Sequence, residues 1–158
     1  MLVKQDLKRD NFDYTEFFKS NIAKENNIIN YPPAHSEQDI LNNLMFIADT
    51  MQELRELFKA PILINSAYRC LKLNKLIGSS DNSQHVQGLA CDFRCPSFGS
   101  PERIMKFLYN NNYIVDQCLC EGSWLHLSKV PDMSKNRKMY GYYLLSTEYN
   151  KRVFQPYN

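Results

Sequence analysis

The segment ILNNLMFIADTMQELRELFK, residues 40–59, places Ile40, Leu44, Ile47, Met51, Leu54 and Phe58 at alternating spacings of four and three. An α-helix gathers residues at that spacing into one stripe. An apolar stripe of this length has to be buried, so the rest of the chain must supply a surface to cover it. Ser36, with Asp39 three residues on, is a capping-box variant that marks the helix start, and Pro61 ends it.

The remaining segments are shorter. Residues 13–23 form an amphipathic run with Phe17, Phe18 and Ile22, which predicts a short helix, and Pro32 and Pro33 prevent the helix from continuing. ILIN (62–65) reads as a short strand leading into SAYR (66–69), residues 70–77 as a short helix, and GSSDNS (78–83) as a loop. Ser100-Pro101-Glu102 opens a helix with an N-cap serine, a first-turn proline and an acid near the positive end of the dipole. Ile104, Phe107 and Leu108 give that helix an apolar face, and it fades at residues 110–112. YIVDQCLCE (113–121) and WLHLS (124–128) alternate like strands around Gly122-Ser123, a pair suited to a type II′ hairpin turn. YGYYLLST (140–147) adds a last strand. Helices first and strands later fit the α+β class better than regular βαβ alternation.

A chain of 158 residues without repeats or a dividing linker is expected to be one domain. Its net charge of +2 is too small to argue for a nucleic-acid partner or an anionic membrane surface. No apolar run reaches membrane-spanning length. The opening MLVKQDLKRDNFDYTEFF has no apolar core of a secretory signal, so synthesis in the cytoplasm is expected. The five cysteines, at 70, 91, 95, 118 and 120, are odd in number and form no C-x-x-C pair. Reduced thiols are the expectation, rather than a cysteine zinc site.

Three histidines narrow the search for chemistry. His35 lies in a proline-rich loop and is expected to be exposed. In SQHVQGLACDF (83–93), His85 and Asp92 flank a glycine. They are either two ligands of a metal or a satisfied polar cluster beside a turn. If Gly122-Ser123 are the two turn residues, Glu121 faces Trp124 and Leu119 faces His126. Trp124 and His126 then share a face, and Glu121 stands one diagonal step from His126, roughly 7–8 Å between backbones. Asp116 falls on the opposite face. A histidine that binds zinc, with a glutamate displaced by a few ångströms to take a proton from water, is what metal-assisted hydrolysis requires. His85, Asp92 and His126 would leave a fourth position open, the catalytic rather than the structural pattern. Gly88 supplies the bend that lets His85 and Asp92 converge, and Ala90 leaves room beside Asp92. Taken singly, each residue has a plainer reading. His126 can be a hydrogen-bonded core histidine, Asp92 a turn cap or a partner of Arg69 or Arg94, and Glu121 an exposed hairpin residue.

The motifs together carry a family resemblance. SQHVQGLACD fits S-x-H-x-x-G-x-A-x-D, SWLHLS fits a later W-x-H-x-S, and INSAYRCLKLNKLIGSS resembles an S-G-Y-R…N…G-S approach to the first ligand. With the FFKSNIAKENNIINYPP opening, residues 15–130 resemble the zinc D-alanyl-D-alanine carboxypeptidase family. That family includes phage L-alanyl-D-glutamate endolysins and shares its fold with the hedgehog signalling domain. The resemblance implies a small antiparallel sheet with helices packed on one side. It also implies one zinc ion bound by His85, Asp92 and His126, with Glu121 as general base and Arg69 steadying the substrate carbonyl or oxyanion. Ser83, Gln84 and Trp124 become candidates for holding substrate. Ala67 stands where the family often has glycine, and the spacing from the base to the last histidine varies among members.

The expected activity is hydrolysis of an amide bond in peptidoglycan stem peptides by a monomer with no nucleic-acid or membrane partner. The expected organisation is one zinc peptidase domain over residues 1–158. Residues 1–14 form an N-terminal extension, 15–130 the motif-bearing core, and 131–158 a C-terminal strand and tail. An enzyme made without a leader would reach the wall after holin-type release, as a phage or prophage endolysin. A D,D-carboxypeptidase trimming terminal D-alanine and a non-catalytic, zinc-stabilised wall-binding module are the alternatives.

Overall fold

A computed structural model of the chain describes residues 1–148 and 150–158. The amphipathic run at 13–23 is two pieces rather than one helix. A 3-10 turn at Tyr14–Phe17 is capped by Asp13, and a short helix comes after it, Asn21–Glu25 (α1). Ser20 between them is extended, and its hydroxyl accepts from the Ala23 N–H at 3.1 Å, which starts a new helix. The long helix is Glu37–Phe58 (α2). Ser36 is its N-cap residue but makes no side-chain capping bond, so the acids Glu37 and Asp39 alone complement the helix start. It closes on Lys59 in the left-handed conformation, before Pro61 is reached.

The remaining elements are the strand Leu63–Ser66 (β1), the helix Leu71–Leu76 (α3), the strand Ala90–Arg94 (β2) and the helix Pro101–Asn110 (α4). Then come the strands Gln117–Cys120 (β3), Leu125–Ser128 (β4), Met139–Ser146 (β5) and Lys151–Pro156 (β6). Ser100 caps α4 as its sequence predicts, accepting from the Arg103 N–H at 3.2 Å. The six strands form one sheet in the order β1-β2-β4-β3-β5-β6. Every pairing is antiparallel except β3 with β5. The connection over residues 129–138 returns the chain to the start of β3, so β5 runs beside it in the same direction. The strand read as the last is succeeded by β6, whose side chains are exposed except for the half-buried Val153.

Strand alternation divides the sheet into two faces. Cys91 and Phe93 of β2, Cys118 and Cys120 of β3, and Leu125 and Leu127 of β4 join Leu44, Ile47, Met51 and Leu54 of α2 in one hydrophobic cluster. Ile104, Met105 and Leu108 of α4 belong to it, as do Leu7 and Phe12 of the N-terminal segment. The fold is therefore α+β with its long helix covering one sheet face. The residues that alternate with this core set, Asp92, Leu119 and His126, line a cleft on the other face. No helix among the described residues is long and apolar enough to cross a membrane.

Candidate functional site

Two adjacent interior strands, β2 and β4, carry the site. Asp92 on β2 pairs directly with His126 on β4, and Leu119 on β3 pairs with His126 from the other side. The hairpin register is the one that a two-residue Gly122-Ser123 turn dictates, with the Glu121 N–H donating to the Trp124 carbonyl at 3.0 Å. Gly122 has φ +76° and Ser123 is not in the positive-φ region, the combination a type II′ turn needs.

His85 arrives from the loop before β2. The N–H groups of Arg69 and Gly88 both donate to its carbonyl, and Leu89 N–H donates to the Gln84 carbonyl at 2.9 Å. Gly88 closes this turn at φ +71°, where a Cβ would lie 3.0 Å from both the Ile40 carbonyl oxygen and Leu44 Cγ. The turn is thus pressed against α2, which fixes His85 relative to the sheet.

Three donor atoms converge. His85 Nε2 lies 3.1 Å from Asp92 Oδ1 and 3.3 Å from His126 Nδ1, and His126 Nδ1 lies 2.9 Å from Asp92 Oδ1. His85 Nδ1 is 2.6 Å from the Ala67 carbonyl, which can only accept, so Nδ1 carries the proton and Nε2 presents a lone pair. His126 Nδ1 can bring at most one hydrogen to the cluster, and the remaining lone pairs still face one another. Such a cluster calls for a cation. Tetrahedral zinc with arms of about 2.0–2.1 Å spaces its ligand atoms about 3.3 Å apart, close to the spacing found here. The Ala67 carbonyl behind His85 is the kind of outer partner that orients a ligating imidazole. This is the one group of three or more metal-type donors among the described residues, and no cysteine belongs to such a group. The five cysteines form no disulfide, and all but Cys70 are buried.

Burial pulls the His85 pKa down against the pull of Asp92, which favours the neutral, ligating imidazole. Burial opposes ionisation of Asp92, but His85 and His126 outweigh it and hold the carboxyl below its ordinary range. Glu121 behaves in the opposite way. Burial, together with the Asp92 charge, pushes its carboxyl above the ordinary value despite His126, Arg152 and Arg69.

Arg69, Ser83, Gln84, Glu121 and Trp124 all line the same cleft as the donor cluster, a cavity of about 1180 Å³. Arg69 Nη2 is 3.8 Å from Asp92 Oδ2, while its Nε is buried without a hydrogen-bond partner. Arg94 instead donates to Asn65. Ser83 Oγ accepts from the His85 N–H at 3.3 Å, and the Gln84 amide is held by Asp116 Oδ2 at 2.9 Å. Trp124 is half-buried and its Nε1 has no partner. His35 is exposed, away from the cleft.

Asp116, expected on the opposite face, lines this cleft too. The chain bends at Asp116, so the period-two rule of β3 does not extend back to it. It is buried and takes hydrogen bonds from Gln84 and from the backbone and guanidinium of Arg137. Sequence reasoning also missed Arg152 on β6, whose Nη1 donates to Glu121 Oε2 at 2.7 Å. No local signal marks either arginine, since each meets its carboxylate only through the sheet topology.

Residues 10–128 match a family model described as Peptidase M15. No curated protein sequence matches the chain.

Proposed function

The chain belongs to the M15 peptidase family, whose members are zinc-dependent, and from that premise we propose that it hydrolyses an internal amide bond in the stem peptides of bacterial peptidoglycan, as a phage or prophage endolysin does. The observation that carries this reading is the convergence of His85 Nε2, Asp92 Oδ1 and His126 Nδ1 within 3.3 Å of one another on the wall of a cleft that also holds a glutamate and a half-buried arginine. Zinc held by these three atoms would supply a Lewis acid for the scissile carbonyl and a more acidic water.

The chain's own residues supply the rest. Glu121, with its raised proton affinity, takes the proton of the attacking water and delivers it to the leaving amine. Arg69, on the cleft wall, meets the oxygen on which negative charge develops. Ser83 and Gln84 flank the peptide backbone, and Trp124 walls the cleft.

An internal bond is favoured over a terminal one by the space beside the cluster. The main cleft extends towards β5 and β6. A second cavity of about 580 Å³ shares Arg69, Asp92 and Trp124 with it and extends towards β1. Because β2 and β4 are both interior strands, flanked by β1 on one side and β3 on the other, a peptide can continue in both directions past the donors.

Purified peptidoglycan provides the test. Glu121→Gln is expected to slow turbidity loss by about 10²–10⁴-fold, the usual contribution of a general base, while zinc content stays at one per chain. Mass spectrometry of the digest is expected to find stems cut internally. Released D-alanine alone would make the enzyme a carboxypeptidase. Zinc binding without any hydrolysis by the wild-type chain would make it a wall-binding module.

A further inference from the structure

The family match ends at residue 128, yet the cleft wall continues through Tyr143, Arg152 and Phe154 of the β5–β6 hairpin. β6 is held to β5 by register pairs running from Gly141↔Pro156 to Ser146↔Lys151, with Arg152 opposite Leu145. β5 lies in turn along β3 as far as Cys120↔Tyr142, one residue short of Glu121. This continuous pairing brings a β6 side chain over the end of β3. Besides its 2.7 Å bond to Glu121 Oε2, the Arg152 guanidinium lies 5.5 Å from the Trp124 ring centroid and 6.0 Å from that of Tyr143. The Glu121 side chain is 15% exposed and that of Arg152 42%, so the carboxylate is sheltered in the cleft while the arginine reaches it from the solvent side. One guanidinium nitrogen thus holds one carboxylate oxygen, and the two aromatic rings beside the cation limit where it can sit.

We infer that Arg152 is a positioning residue for the reaction: it holds Oε2 of Glu121 and thereby aims the other carboxylate oxygen into the cleft. The inference rests on the reading of Glu121 as general base. A carboxylate is planar, so anchoring one oxygen sets the direction of the second. A base acts only within hydrogen-bond reach of the proton it takes. Without Arg152, Glu121 would swing among rotamers at the mouth of the hairpin, with substrate affinity little changed.

The test compares Arg152→Ala, Arg152→Lys, Glu121→Gln and the double variant Glu121→Gln/Arg152→Ala in the full chain. Steady-state kinetics are measured on soluble muropeptides released from peptidoglycan by a muramidase. Arg152→Ala is expected to lower kcat about 10- to 100-fold, the scale of a misplaced catalytic group, with KM within about threefold of wild type. Arg152→Lys is expected to recover part of the loss, and the double variant to be no slower than Glu121→Gln. Trp124 is the only tryptophan of the chain, so its emission reports the stacking directly and is expected to shift in Arg152→Ala. If alanine unfolds the hairpin, Arg152→Gln, which keeps the stem over Trp124, is expected to show the same loss of kcat.

A rise in KM at unchanged kcat, kinetics identical to wild type, multiplied losses in the double variant, or unchanged emission would each overturn the inference. If those results accompany an inactive Glu121→Gln, Glu121 keeps its role and only the role of Arg152 falls. An active Glu121→Gln removes the general base itself, and both readings fall together.

Discussion

Zinc added to the metal-free protein is expected to raise its melting temperature by about 5–11 °C once free zinc exceeds the dissociation constant a hundredfold. A ligand that binds the folded state alone at that excess stabilises it by about 2.7 kcal/mol. In a chain of this size each kcal/mol moves the midpoint by about 2–4 °C. The full effect is expected because the site is already assembled: its donors stand 2.9–3.3 Å apart, Asp92 and His126 on directly paired residues of two interior strands and His85 anchored to the Ala67 carbonyl. The hydrophobic core lies on the opposite sheet face, so the metal-free protein should unfold cooperatively rather than be unfolded from the start, as a structural zinc domain would be. The assay is scanning calorimetry of protein treated with a chelator, dialysed and titrated with zinc, beside His126→Ala. That variant removes one of three ligands and is expected to lose the shift, and wild type is expected to bind more weakly at acid pH because its ligands must be deprotonated. A shift of equal size in His126→Ala, or none in wild type, would refute the assignment of the donors.

Gly88→Ala is expected to cost about 1–3 kcal/mol in chemical denaturation, since alanine is strained at positive φ and its Cβ would press on Ile40 and Leu44. It is also expected to shrink the zinc-induced shift, because the displaced turn carries His85. Burial opposes ionisation of Asp116, but hydrogen bonds from Arg137 and Gln84 hold its carboxyl below the ordinary value of 3.8. A depressed folded value gives stability that is complete above the unfolded value and lost as pH falls through the folded one. Melting temperature should therefore drop below pH 3.8, and Asp116→Asn should flatten that acid arm. Native protein is expected to react with a thiol reagent at Cys70 alone, and in denaturant at all five cysteines, because the other four are buried. Rapid labelling of two or more native thiols would count against this packing.

Legibility in the sequence tracked the range of the interactions. Spacing within one element was enough for α2, and a single turn was enough to relate Glu121 to Trp124 and Leu119 to His126, because a two-residue hairpin leaves no freedom of register. The split at Ser20 was harder, since Phe17, Phe18 and Ile22 keep an apolar spacing across an extended residue that the spacing does not reveal. Asp116 was misplaced for a related reason: alternation is a property of extended backbone, and the chain bends there. β6, KRVFQP, has neither clean alternation nor an apolar face. Edge strands need bury little, so their sequences carry little pattern.

Arg152 marks the limit of such reading. Its contact with Glu121 spans 31 residues and depends on a parallel pairing of β3 with β5, whose register no turn fixes. The same geometry separates two kinds of residue in the cleft. The three donors, Glu121 and Arg69 lie within the span that matches the family, whereas Arg137, Tyr143, Arg152 and Phe154 lie beyond it on the same cavity. In the proposed mechanism the first set makes and breaks the bonds. The second set lines one arm of the same cleft, with Arg152 bonded to Glu121, so under the proposed function preference for one stem peptide over another is to be sought in the β5–β6 hairpin. Exchanging that hairpin should alter which bond is cut while leaving the zinc-induced melting shift intact, since His85, Asp92 and His126 lie outside it.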